Sequence, residues 1–203
     1  SKFLKKVDLD VTPPSISPNN KTIAYISKSE RVFKHSPYMK DTRRHIWLYD
    51  IDTNKARDLT AELNYEHSEV QWSPDGKYLS YHSMRDKEWR FYIIKIGNEN
   101  YATDLGEGKK LLWLDNNSII VSMDDSRTVS TIFRWIKWPN NQVVKTKKVT
   151  APYSFSQFAV VPPNSIICED ATDNPDYDLT ILDLERGEKN TIVTDAILPV
   201  LAK

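Results

Sequence analysis

The strand-turn-strand unit around Trp72-Ser73-Pro74-Asp75-Gly76-Lys77 constrains this chain most, because variants of it recur before and after at a spacing of roughly 45 residues. Val70-Gln71-Trp72-Ser73 alternates apolar and polar, Pro74-Asp75-Gly76-Lys77 is a turn, and Tyr78-Leu79-Ser80-Tyr81 alternates again, as a half-buried antiparallel pair does. The same unit reads as Ile16-Ser17-Pro18-Asn19-Asn20-Lys21 upstream. Downstream it reads as Trp113-Leu114-Asp115-Asn116-Asn117 and Val160-Val161-Pro162-Pro163-Asn164.

A third strand follows each hairpin: Ile46 to Ile51, Phe91 to Ile96, Ile132 to Trp138 and Leu179 to Leu184. Their charged next-to-last residues, Asp50, Lys95, Lys137 and Asp183, fall 45, 42 and 46 positions apart. A polar turn and a fourth strand complete each unit, ending at Leu59-Thr60, Leu105-Gly106, Val149-Thr150 and Val193-Thr194. Repeats of this length, each with four short antiparallel strands, predict an all-β fold, a β-propeller of four blades. The expected blades run over about 12–60, 61–105, 106–150 and 151–194, with an apolar tail over 195–203. They make either a complete small propeller or an arc of a larger one. An arc would be completed by a second copy of the chain, as a homodimer, or by a missing C-terminal portion of the same chain.

Lys and Arg together number 28, as do Asp and Glu, so no overall field draws the chain to nucleic acid. No apolar run reaches the ~18 residues of a membrane helix, so no membrane span is expected. No signal-peptide pattern opens the sequence, and a start at Ser1 is expected of a trimmed chain, so the compartment stays open between periplasm or secretion and cytoplasm. Cys168 is the single cysteine, which excludes a disulfide framework, and its strand position predicts a buried thiol.

Propeller loops that join second to third strands share one face with the loops between blades. In the first repeat that loop, Lys28 to Arg44, is long and carries a net charge of +4 with Phe33, His35 and Tyr38 interleaved. Arg31, Lys34, His35, Tyr38, Arg43 and Arg44 are therefore the candidate binding residues, set against the alternative of an ordinary solvated loop. The corresponding loop of the fourth repeat is acidic. Its Asp170, Asp173, Asp176 and Asp178 form a candidate calcium site, although the spacing lacks the EF-hand pattern. Aromatic residues at equivalent blade positions, such as Trp72 and Trp113, read as packing between blades. Trp89, Trp135 and Trp138 have no such equivalents and read as surface anchors, with Trp89 joining the candidate binding residues.

No catalytic constellation stands out. The five glycines, Gly76, Gly97, Gly106, Gly108 and Gly187, bracket no serine, and Gly106 to Lys110 lacks phosphate-loop spacing. The histidines His35, His45, His67 and His82 show no zinc-binding spacing; His45 and His82 fall on strands and His35 and His67 in loops. No cofactor is expected.

The hairpins Ser17-Pro18-Asn19-Asn20-Lys21 and Trp72-Ser73-Pro74-Asp75-Gly76-Lys77 resemble the blades of TolB-like proteins and of the N-terminal propellers in the prolyl oligopeptidase family. His45 to Thr53, followed by Ala56-Arg57-Asp58-Leu59-Thr60, is similar to the acylaminoacyl-peptidase branch in particular. The resemblance covers about Pro14 to Leu105 and fades beyond. It implies one of two roles. One is a non-catalytic scaffold binding a protein or peptide through one loop face, as in TolB-like proteins. The other is the substrate-gating propeller of a serine oligopeptidase whose α/β-hydrolase domain this sequence does not contain.

Overall fold

The computed structural model describes residues 13–28, 32–33, 36–40, 43–61, 63, 65–125, 127–128, 130–150, 153–161, 165–170 and 178–193. Among them all regular structure is β. The first repeat supplies β1 (Ser15–Ile16), β2 (Thr22–Lys28), β3 (Val32–Phe33), β4 (Ser36–Lys40), β5 (Arg44–Asp50) and β6 (Lys55–Asp58). Strands β1, β2, β5 and β6 form one antiparallel sheet in that order, while β3 and β4 pair only with each other inside the β2–β5 connection. The second repeat gives β7 (Glu66–Trp72), β8 (Tyr78–Arg85), β9 (Glu88–Lys95) and β10 (Asn98–Glu107), each paired with the next. The third gives β11 (Lys110–Asp115), β12 (Ser118–Asp125), β13 (Ser130–Lys137) and β14 (Gln142–Thr150). The fourth gives β15 (Tyr153–Val161), β16 (Ser165–Asp170), β17 (Asp178–Asp183) and β18 (Lys189–Val193). Four four-stranded sheets of simple meander order result, the architecture of propeller blades.

The chain divides into two compact units, residues 1–107 and 108–203. In the first, Ala24, Ile26, Ile46 and Leu48 of one sheet pack with Val70, Trp72, Leu79, Tyr81, Tyr92 and Ile94 of the other. In the second, Ile120 and Phe133 pack with Phe158, Ile166, Cys168 and Leu182. The Phe133 and Phe158 rings meet edge-on at 5.6 Å, and Cys168 is the buried thiol its strand position predicts. Each Val, Leu, Ile or Phe side chain among them contributes about 1.5–3 kcal/mol by leaving water. The fourth strands are mostly exposed, β18 throughout, which suits the outermost position in a blade.

The recurring Ser-Pro hairpin has a hydrogen-bond explanation. Ser73 Oγ donates to Asp75 Oδ1 (2.7 Å) and accepts the Tyr78 N–H (2.9 Å), while the Lys77 N–H reaches the same carboxylate oxygen (3.1 Å). In the first repeat Ser17 donates to Asn19 Oδ1 (2.8 Å) and accepts the Thr22 N–H (2.9 Å), and the Lys21 N–H completes the set (3.0 Å). Asn20 and Gly76 hold equivalent left-handed positions, φ 58° and 70°, which asparagine and glycine tolerate best. Burial opposes ionisation of Asp75, but the bonds from Ser73 and Lys77 outweigh it and hold its carboxyl below the usual range. A cleft of about 390 Å³ opens beside these two turns. Its Ser17, Asn19 and Asp75 are already engaged within their own turns.

Strands β8 and β9 are joined by the two-residue turn Asp86-Lys87, with φ of 52° and 69°. Such turns favour Asn-Gly, so lysine sits there at a cost. Two stability predictions follow from these turns. Ser73→Ala removes a donor and an acceptor and should lower stability by about 1–2 kcal/mol. Lys87→Gly should raise it by roughly 1 kcal/mol. Both are read from urea denaturation of the variant against the parent chain.

Candidate functional site

Antiparallel pairing brings the end of β2, the start of β5, the end of β6, the start of β7 and the β8–β9 turn to one end of the first unit's sheets. Here Arg44 donates its backbone N–H to Glu66 Oε2 (3.2 Å) and its Nη1 to Glu66 Oε1 (3.3 Å), tying β5 to β7. Behind it His45 is fully buried, with Nδ1 2.9 Å from Asp58 Oδ2. Asp58 Oδ1 accepts the Thr60 N–H (3.0 Å), and Thr60 Oγ1 accepts the Ile46 N–H (3.0 Å). The Asp-Leu-Thr ending of the first repeat thus closes a polar network between β6 and β5.

His67 stands edge-on to His45, with centroids 6.3 Å apart, and to Tyr81 at 5.6 Å. It is fully buried, and neither ring nitrogen has a hydrogen-bond partner among the described residues. Burial, aided by His45 and Arg85, pushes its pKa down to about 3, so the ring is neutral near pH 7. The Tyr81 hydroxyl is pushed up to about 12, chiefly by burial, and its ring stacks on Tyr92. The Arg85 guanidinium lies 3.8 Å over the Tyr92 ring and 4.7 Å over the Tyr65 ring, and Nη2 makes a long contact, 3.5 Å, with the Tyr81 hydroxyl. A cation held over two aromatic faces is well placed by dispersion and quadrupole attraction.

Few of the sequence-predicted residues are placed at this end. Arg31, Lys34 and His35 lie outside the described residues, and Tyr38 falls on β4. Arg43 is half-buried just before β5, and Arg44 is committed to Glu66. Trp89 is half-buried against His82, at 4.8 Å, and His82 stacks on Phe91 at 4.3 Å. Strand alternation puts Trp89, His82 and Phe91 on the opposite face of the second sheet from Tyr81, Arg85 and Tyr92, so Trp89 does not join the arginines. Of the acidic residues, Asp173 and Asp176 lie outside the described residues, while Asp170 and Asp178 are cross-strand partners of β16 and β17. Among the described residues no three His, Cys, Asp or Glu side chains gather into a metal site.

Two expectations are corrected. His67 is on a strand, not in a loop. Glu69, at φ 49°, bulges β7 between Ser68 and Val70, and that extra residue turns His67 inward where strict alternation from Trp72 points it outward. Trp138 is 5% exposed and packs edge-on against Trp113 at 6.1 Å, so it is no surface anchor. Its N–H bonds Asn117 O as the N–H groups of Ile51 and Ile96 bond Lys21 O and Lys77 O, which makes it the last apolar residue of its third strand. Trp135 is likewise half-buried, packed on the second unit's core with the Lys145 ammonium 4.9 Å over its ring. Tyr65, His67 and Arg85 are the residues that sequence reasoning missed. Arg85 shares strand parity with Leu79, Tyr81 and Ser83, and a charge at the end of an inward-facing row was the available signal.

His67 makes folding pH-dependent. Its folded pKa lies below the unfolded value, so the unfolded chain binds more protons between about pH 6.5 and 3, and stability falls as pH drops through that window. The melting temperature should decline across it, and His67→Phe should flatten the decline. An equal slope in the variant would assign the acid sensitivity elsewhere.

No protein-family model matches the chain. Dipeptidyl-peptidase 5 of Porphyromonas endodontalis is 29% identical over 87 residues, covering 43% of this chain and 12% of that protein. The matched stretch thus spans about an eighth of the length of that relative. TolB from Acinetobacter baumannii superposes with a TM-score of 0.59 at 18% identity, over 90% of this chain and 43% of TolB. Pyrococcus horikoshii acylaminoacyl peptidase gives 0.60 at 12% identity, over 91% of this chain and 32% of that one. With four meander sheets of four strands each, the chain has a β-propeller fold similar to that of TolB and to the matching part of the acylaminoacyl peptidase.

Proposed function

We propose that this chain is a non-catalytic binding module that holds a peptide or protein segment at the strand-end face of its first unit. One observation carries the reading. The β2–β5 connection of the first repeat is long enough to build its own β3–β4 ladder, whereas β8 and β9 are joined by two residues. Extra chain at one end of a propeller blade is where binding surfaces are built on a rigid scaffold. Arg43, Tyr65 and Arg85 stand at the same end, and the candidate residues Arg31, Lys34, His35 and Tyr38 belong to the insertion itself.

A second reading is favoured by the dipeptidyl-peptidase 5 stretch: the chain is the propeller part of a longer serine oligopeptidase, and the same face gates peptide access to a hydrolase domain. Catalysis in that case belongs to residues beyond this sequence. The mass of the natural protein, detected with an antibody to this chain, separates the two. A mass near 23.6 kDa favours the stand-alone module, and a far larger one favours the peptidase.

Panning a random peptide library on the immobilised chain tests the face. Replacing residues 34–40 with a short Gly-Ser linker should weaken the selected peptides about tenfold or more. Full affinity in that variant would place binding elsewhere on the molecule.

A further inference from the structure

We infer that Arg85 is the receptor for a carboxylate carried by the bound peptide, a deepening that rests on the peptide-binding reading above. Three other arginines of the first unit are occupied by carboxylates of the chain itself. Arg44 is paired with Glu66, Arg57 with Glu99, and Arg90 with Glu88 and Asp104. Arg85 makes no ion pair with any described carboxylate. Of the five N–H donors of a guanidinium, it gives one to a described residue, in the long 3.5 Å contact from Nη2 to the Tyr81 hydroxyl. Its Nε is buried without a partner, and Nη1 makes no hydrogen bond to a described residue.

This is not a solvated surface arginine left free by chance. Tyr92 and Tyr65 hold the guanidinium at 3.8 and 4.7 Å from their ring centroids. Ordering the side chain in advance lowers the entropy that a ligand must supply. The fork of a guanidinium matches the two oxygens of a carboxylate, and the Tyr81 hydroxyl proton, free while its oxygen accepts from Arg85, adds a third donor beside it. His67, the next ring inward, is neutral and adds no charge to that of the Arg85 guanidinium. One guanidinium balances the single charge of a carboxylate. The carboxylate is either a peptide C-terminus or an Asp or Glu side chain.

Phenylglyoxal labelling of the whole 203-residue chain, read by peptide mass mapping, tests the site without a variant. Arg85 should be labelled readily, and sodium acetate should slow its labelling several-fold more than sodium chloride or phosphate of equal ionic strength, with Arg57 and Arg90 unaffected. Failure of Arg85 to react, or equal protection by chloride or phosphate, would overturn the inference. The panned peptides then identify the source. Amidating the C-terminus, or changing Asp and Glu to Asn and Gln, should cost one set of peptides about tenfold in affinity on the parent chain and nothing on Arg85→Gln. Peptides indifferent to both changes would also overturn it. Acetate protection with no peptide bound at all would leave the carboxylate site standing and reject the peptide reading.

Discussion

A four-stranded sheet has two faces and cannot bury either by itself, and this constraint governs the rest of the molecule. In the first unit Ile26, Ile46 and Leu48 meet Val70, Leu79 and Tyr81 from the neighbouring sheet. In the second, Ile120 and Phe133 meet Phe158 and Ile166 in the same way. Alternation along each strand is the sequence form of that requirement. The outer strands β6, β14 and β18 escape it and are polar or exposed. Burial therefore decreases outward within a blade, and side chains that break the rule can be recognised by position alone.

The turns are tuned to keep the faces in register. A serine that both accepts the N–H five residues on and donates to the Asn or Asp two residues on fixes the hairpin from inside. Register matters because a one-residue slip would send every apolar side chain of the strand outward. The same set of bonds in the first two repeats explains why Ser-Pro-Asn-Asn and Ser-Pro-Asp-Gly look alike. In the third repeat Asp115 accepts the Asn117 N–H and the Ser118 hydroxyl instead, so the letters change while a carboxylate still anchors the turn.

Most of the fold was legible in the sequence because period-two alternation and turn chemistry are local. The four meander sheets, the long insertion between β2 and β5, and the buried Cys168 were all readable in this way. What escaped is non-local or depends on one residue of register. The β3–β4 ladder forms inside a stretch whose Lys and Arg content reads as a loop. The bulge at Glu69 carries no glycine to announce it, so the inward turn of His67 was invisible. Trp138 was misplaced because its equivalents, Ile51 and Ile96, are apolar without being aromatic. For the candidate site, the sequence points to the end of the sheets bearing Arg43 and Arg44, but the pairing of Arg44 with Glu66 and the inward row that ends in Arg85 depend on contacts between strands that no local pattern shows.

The ionisable residues His45, Asp58, His67 and Arg85 of that first unit gather at one end. His45 is satisfied by Asp58, and through Thr60 the network secures β6 against β5. His67 and Arg85 differ, because an unpaired buried nitrogen costs free energy that an apolar side chain of similar size would not. Packing alone would replace both, as Leu79 and Ile94 fill comparable inward positions deeper in the same sheet. The cost falls next to the exposed end of the row, beside two tyrosines that hold the guanidinium, and not in its middle. A chain with reason to keep a charge there would place it at the end where a ligand reaches it without opening the core, and Arg85 is at that end.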